Sequence, residues 1–479
     1  MSAVLLARPA PGRWHQTGLA LLASIIAVLP MLALPIPYIM LGVAILPFAL
    51  IFAFANPFAL CLAFIIFSFF RIHEVFPVLE PLQIPRLLAA PTLIVLFWHI
   101  FIARSIKTFW SAELTAFTVF FSLVTLGLFV AANRPQAIAY WSNNYWKMAV
   151  MTFCVAWLTR TPTDFGKAAR FIVLAGIAVS WVTLYNKVNG IGLVEGTRVT
   201  IGRDIRSVLG DPNDLSLVLL FPLSFAAALA VQRKYWFSVL LGIIGVCLII
   251  PAIIATQSRG GLLGLSIVMA VVGSRLIKSK AVLFSVGGIA LMGLFAVAGI
   301  SGRSSGGAGE SGIDESSMGR IYAWGAAWKM ALTHPLNGVG LDNFVVNYYF
   351  YSDHWDGLNH AVHSTWFNVI AETGFPGIIT FVTMIVVMFR QSIRASGQLR
   401  ASNAAIQAQS MGLAVVAGTA GFCVSGTFLT QGFTWPVYIL LAMSAAIGRY
   451  AREENEGSHE HNTLRLQAVQ SAPMDQGAR

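Results

Sequence analysis

The chain has 479 residues, 57% of them hydrophobic and 11% charged, with a mean hydropathy of +0.73. A soluble globular chain carries about 25% charged residues, so this composition excludes a water-soluble domain and takes lipid as its solvent. The net charge of +11 does not point to nucleic acid, because the basic residues alternate with apolar stretches instead of gathering on one polar face.

Apolar stretches recur almost end to end, separated by short basic loops, the pattern of many bilayer-spanning helices. Fourteen spans are predicted, at 18–34, 38–55, 57–70, 87–104, 112–131, 146–159, 168–186, 213–231, 236–256, 260–276, 281–300, 366–389, 409–429 and 434–449. The third and sixth are short, so the expected count is 12–14 in an all-α polytopic fold. The first stretch runs into the second through Pro35 and Pro37 with no small-residue cleavage site, so no cleaved signal is expected. Cys61, Cys154, Cys247 and Cys423 all fall inside predicted spans, where core packing is their expected role rather than a metal cluster or a disulfide framework.

Charge sets the expected topology. With Arg8 and Arg13 inside, alternation places Lys107, Lys167, Arg233, Lys278, Arg394 and Arg452 inside too, each within a basic loop, as the positive-inside rule requires. The chain then divides into helices with short loops over 1–300, a large periplasmic loop over 301–365, C-terminal helices over 366–449, and a cytoplasmic, disordered tail over 450–479. Arg198, Arg203, Arg206, Arg259, Arg303 and Arg320 are left on the outer face, against the topological bias. Any one of them is as readily a snorkelling surface charge; several on one side invite a common ligand.

Taken in chain order, the outer segments carry candidate chemistry. In Gly210-Asp-Pro-Asn-Asp214, Asp211, Asn213 or Asp214 caps the next helix with Pro212 in its first turn. A metal on these carboxylates is rejected, since further oxygen ligands are lacking and the adjacent arginines repel a cation. Ser258 caps the helix after it, leaving Arg259 in a first turn where a bound anion relieves its conflict with the helix dipole. The glycines that follow permit close approach of a ligand or of a neighbouring helix. In the long loop, Ile321, Trp324, Trp328 and Leu332 predict a helix over 318–333. Ser316 or Ser317 caps it, with Arg320 in its first turn. Two arginines at two helix starts suggest a diphosphate cradle, for which guanidinium supplies planar bidentate donors. A glycine-rich turn at 338–344 follows, containing Asp342, then an aromatic stretch, then His360 and His363, the latter leading directly into a span. Four of the nine histidines sit in this loop; histidine is the usual base near neutral pH, although a lone surface histidine is more often idle.

These residues resemble the O-antigen ligase and O-antigen polymerase superfamily. The resemblance rests on Ser258-Arg259-Gly260 ending a span, on Gly319-Arg320 with Trp324 before Gly338-Val-Gly-Leu-Asp-Asn-Phe344, and on His363 followed by Glu372-Thr-Gly-Phe-Pro-Gly377, in the family's order over about 200–390. Gly210-Asp-Pro-Asn-Asp214 further resembles a branch described as O-glycosylation ligases associated with the exosortase A system. The resemblance implies a bacterial inner-membrane glycosyltransferase with a periplasmic active site, needing neither metal nor cofactor. Its donor is a glycan on undecaprenyl diphosphate; its acceptor is lipid A–core, a protein hydroxyl or another glycan. It assigns the essential histidine to His363 and the phosphate-handling arginines to Arg206 (or Arg203), Arg259 and Arg320. Asp211, Asp342, His360 and Glu372 stand as supporting or acceptor-side residues. Where the family often has Asn after the histidine, this chain has Ser364. A polymerase of the same superfamily is the alternative, and a lipid-linked sugar flippase is the contrasting class.

Overall fold

In lipid every backbone N–H and C=O must be satisfied within the chain, which leaves helices as the form available to long apolar runs. The computed structural model of the chain describes residues 47–82, 84–205, 207–297, 315–355 and 357–470, and these are helical almost throughout. Two helices, α1 (Pro47–Ala55) and α2 (Pro57–Phe69), meet at a 106° bend. Then come α3 (Ile72–Val75), α4 (Ile84–Phe97), α5 (Ala112–Gly127), α6 (Arg134–Tyr140), α7 (Trp146–Leu158) and α8 (Pro162–Asn189). A two-residue hairpin, β1 (Leu193–Val194) with β2 (Arg198–Val199), precedes α9 (Pro212–Ala230), α10 (Trp236–Thr256), α11 (Arg259–Gly273) and α12 (Lys280–Val297). The chain closes with α13 (Glu315–Thr333), α14 (Phe344–Tyr351), α15 (Thr365–Ala401), α16 (Ile406–Ser425) and α17 (Trp435–Gln470).

The bundle is built around α9, which packs on α8, α10, α11 and α16, and around α17, which packs on α5, α7, α15 and α16. Nearly every residue of α9 is buried, whereas α12 leaves Phe284, Ile289 and Met292 exposed on its apolar surface. Such a helix needs lipid against it. Close packing at the centre depends on small residues: a Cβ on Gly261 of α11 would lie 1.7 Å from the Ser216 hydroxyl of α9. The glycines after Ser258 therefore admit a neighbouring helix.

Among the described residues six helices are long and apolar enough to cross a membrane, or seven if the bent α1–α2 pair forms one span. This is fewer than the sequence pattern suggests. The predicted span 18–34 and the first half of 38–55 lie outside the described residues. Elsewhere the apolar part of a helix is short: α7 has 13 residues, about 20 Å of rise against an apolar core about 30 Å thick, and it continues the more polar helical stretch from Arg134 through the π-helical turn Trp141–Tyr145. The predicted span 366–389 is also not one straight helix. Gly374, at φ 69° and ψ −168°, breaks α15, with Pro376 two residues on. Finally, α17 continues as helix to Gln470, past residue 450, where the sequence suggests disorder. An i,i+4 ion pair from Arg449 to Glu453, 2.7 Å long, supports its continuation.

Candidate active site

The break in α15 frees carbonyls that a continuous helix would use, and the glycine-rich turn takes them. Val339 N donates to Ala371 O at 2.8 Å and Gly340 N to Glu372 O at 3.1 Å, while Phe375 N donates back to Pro335 O at 2.8 Å. Only glycine fits at 338: it sits at φ +59°, and a Cβ there would be 2.4 Å from Ala371 O. The Glu372 carboxylate accepts from the backbone N–H of Asp342 at 2.8 Å and of Phe344 at 3.2 Å, satisfying the start of α14. Asn343, fully buried, accepts from Asn133 N at 2.7 Å, and Gln136 donates to the Asp342 carbonyl at 2.7 Å and its carboxylate at 3.2 Å. Asp342 is raised above the usual carboxylate range by burial, although Gln136 opposes the shift. Asp342 and Glu372 thus belong to a clasp that joins α6, α14 and α15.

The clasp and α13 hold the segment that carries His363. This residue adopts φ +48°, a left-handed conformation uncommon outside glycine, and Trp324 of α13 donates from Nε1 to the preceding carbonyl, Val362 O, at 3.0 Å. The same indole stacks on Phe367, centroids 5.3 Å apart and planes 11° apart. On the other side, Thr365 N donates to Gly426 O at 2.7 Å and Thr365 Oγ1 to Leu429 O at 2.7 Å. The 426–434 turn therefore seats the start of α15. It also touches the start of α11, since a Cβ on Gly260 would lie 3.0 Å from Phe428 Cβ. Arg259, half-buried at the first position of α11, follows a cap in which Ser258 Oγ accepts from Gly261 N at 3.3 Å.

Three of the predicted groups gather around the half-buried His363 ring. Its pKa lies below the ordinary histidine value, first because of burial and then because the Arg320 cation is close. His360 and Arg198 push it the same way, and Asp211 opposes them. His363 is thus held neutral near pH 7, with its lone pair available. Asp211 also caps α9, accepting from Asn213 N at 2.7 Å and Asp214 N at 3.2 Å. His360 packs edge-on to Tyr348, with centroids 5.5 Å apart. Helix α13 is described from Glu315, so Ser316 and Ser317 lie inside it and Arg320 falls beyond the first turn. The predicted first-turn placement is corrected accordingly. Arg203 is exposed on the loop between β2 and α9, and Arg206 and Arg303 lie outside the described residues. Ser364, at the position where the family often has asparagine, is buried, and its hydroxyl has no hydrogen-bond partner among the described residues.

Several residues that build the site were not assigned a role from sequence. Arg198 is buried and ties three segments together, through Thr256 O at 3.1 Å, Asn213 Oδ1 at 2.9 Å and Glu195 at 3.5 Å. Buried Gln431 donates to Asp214 Oδ1 at 3.2 Å and, from its backbone N–H, to Thr365 Oγ1 at 3.1 Å. The only available signal for Arg198 was its position on the face where arginine is scarce. For Gln431 there was none, since its partners are about 66 and 217 positions away in sequence.

A multi-pass all-α membrane protein with a neutral histidine among arginines, where polar segments meet at one end of the bundle, is the class these features define. Residues 244–382 match the family model described as O-antigen ligase, and this match supports the chain's place in the O-antigen ligase and polymerase superfamily of membrane glycosyltransferases. The matched stretch contains Arg259, Arg320 and His363. No curated protein matches the chain.

Proposed function

We propose that the protein transfers a glycan from an undecaprenyl-diphosphate-linked donor to an acceptor hydroxyl on lipid A–core or a protein, at the periplasmic face of a bacterial inner membrane. The observation that carries this reading is the His363 environment: an imidazole below its ordinary pKa, fixed by the Trp324 bond to Val362 O at 3.0 Å, beside Arg320, with the 426–434 turn bonded by Thr365 on one side and packed by Gly260, next to Arg259, on the other. His363 accepts the proton of the acceptor hydroxyl. The acceptor oxygen bonds to the anomeric carbon as the bond from that carbon to the diphosphate oxygen breaks, with inversion. Arg259 and Arg320, with Arg203 or Arg206, meet the charge left on the lipid diphosphate; one such preorganised donor is worth about 3–4 kcal/mol in the transition state. The arriving diphosphate also raises the basicity of His363, since an anion favours imidazolium. No metal or cofactor takes part in these steps.

A polymerase that adds repeat units uses the same base and leaving group. In a deletion strain, loss of attachment with donor-linked chains intact marks a ligase, and single unextended repeats mark a polymerase. A flippase needs ionisable groups along a path through the bilayer. Here His99 is engaged by Phe54 O at 2.8 Å and Ser105 at 2.6 Å, and Glu113 accepts from Ser444 at 3.2 Å. Purified protein supplied with lipid-linked donor and acceptor is expected to form inverted product. Donor that crosses a liposome bilayer without glycan transfer would reverse the assignment.

A further inference from the structure

A polar cavity of about 570 Å³ lies between α2–α3, the loop after it, and the start of α7. Among the described residues, none proposed for catalysis lines it. Its size falls in the range of small-molecule sites, about 300–1,000 Å³. Arg71, on its wall, adopts the left-handed conformation φ 50° and ψ 41°, strained for a residue with a long side chain and of the sort that persists where surroundings fix it. Its Nε donates to Glu74 at 2.6 Å, and Ser207 also donates to Glu74. Burial pushes Glu74 up, but these hydrogen bonds bring it below the usual carboxylate range. Burial keeps His73 below the ordinary histidine value. Among the described lining residues, Arg71 and Lys147 stand against Glu74 and Glu80, two positive charges and two negative, beside a neutral His73.

That balance argues against an anion or a cation as ligand and for a neutral molecule rich in hydroxyls. The remaining lining fits one. Asn143 and Asn144 are exposed on a π-helical turn, Trp141–Tyr145, a local form often found at functional positions; each amide offers two donors and an acceptor. Ser68 Oγ is buried on the wall without a hydrogen-bond partner among the described residues, and the His73 ring stands beside it. Trp435, packed edge-on against Phe64 at 5.9 Å, supplies an apolar aromatic surface beside them. Amide and hydroxyl groups next to an indole suit the polar edge and apolar face of a pyranose.

We propose that this cavity binds a sugar unit of one of the two glycans that meet at His363. The inference rests on the transferase reading for its biological sense. Two lining residues are close in sequence to segments of the His363 cluster: Ile205 stands on the loop that leads to Asp211, and Trp435 follows the turn whose Gln431 bonds Asp214. A sugar held here keeps the rest of its chain pointed at the reacting centre, and the cavity selects which glycan is used.

The test uses the full chain in lipid nanodiscs and saturation-transfer NMR with methyl glycosides of glucose, galactose, mannose, rhamnose and N-acetylglucosamine as probes. At least one glycoside is expected to show transfer that persists in His363→Ala and falls at least fivefold in Asn143→Ala/Asn144→Ala, whose exposed positions spare the fold. In the transfer assay the same double variant is expected to raise KM at least tenfold for one substrate with kcat within twofold. A rise for the acceptor assigns the cavity to the acceptor glycan, and a rise for the donor assigns it to the donor glycan. No transfer to any glycoside in the unaltered protein, or equal transfer in the double variant, overturns the proposal and leaves the His363 chemistry standing. Loss of the transferase reading through a fully active His363→Ala leaves glycoside binding intact, so the two failures are distinct.

Discussion

Trp324→Phe isolates the positioning of His363 from its chemistry. Phenylalanine keeps a ring to stack on Phe367, 5.3 Å away at 11°, but deletes the Nε1–H that bonds Val362 O at 3.0 Å. A buried carbonyl deprived of its donor costs about 1–3 kcal/mol. If the turn at φ +48° relaxes to recover that energy, His363 moves off the acceptor hydroxyl. At roughly 1.4 kcal/mol per tenfold change in rate, kcat is expected to fall about 5–100-fold, with donor KM changed less than threefold. Single-turnover transfer by purified protein in nanodiscs measures this, and thermal unfolding in the same preparation reports how much of the cost is global. A variant destabilised by about 1 kcal/mol yet unchanged in kcat refutes the claim that Trp324 fixes the base.

The remaining predictions address the base, the clasp and the close approach. Because His363 must be unprotonated to act and its pKa is lowered from 6.5, kcat/KM is expected to hold near neutrality and to fall only below pH 6.5. In Arg320→Gln, which removes a depressing charge, the acid limb moves to higher pH; a limb that stays or moves lower contradicts the assignment. Glu372→Gln places an amide N–H₂ opposite one of the two backbone donors at Asp342 and Phe344. Stability is expected to drop by about 1–3 kcal/mol, read as a lower unfolding temperature in detergent. Gly338→Ala meets both a positive φ of +59° and a contact of 2.4 Å with Ala371 O. A loss of at least about 3 kcal/mol is expected, seen as failure to accumulate in membranes; normal accumulation would disprove the interlock.

Much of the architecture was legible because hydropathy and charge repeat along the chain at the period of membrane helices. Helix caps were legible too, as local chemistry: Ser258 and the run Asp211-Pro212 sit at helix starts. Breaks within apolar runs were not, because Gly374 stops α15 only when Pro335 and the 338–344 turn are present to take its freed backbone groups. The partners of Glu372 were hidden for the same reason. A carboxylate near a glycine reads equally as substrate contact or as backbone clasp, and only the fold places it on two N–H groups. Arg198 shows the opposite case, a basic residue visible as unusual on its face whose hydrogen bonds to Thr256 and Asn213 give it an anchoring role.

The most direct measurement is transfer and donor binding by His363→Ala in reconstituted membranes. Proton acceptance by the imidazole predicts transfer at least 10²-fold slower, with lipid-diphosphate donor bound within about threefold of the unaltered affinity, since the arginines that hold it remain. Transfer at the full rate would contradict the account, whatever the binding.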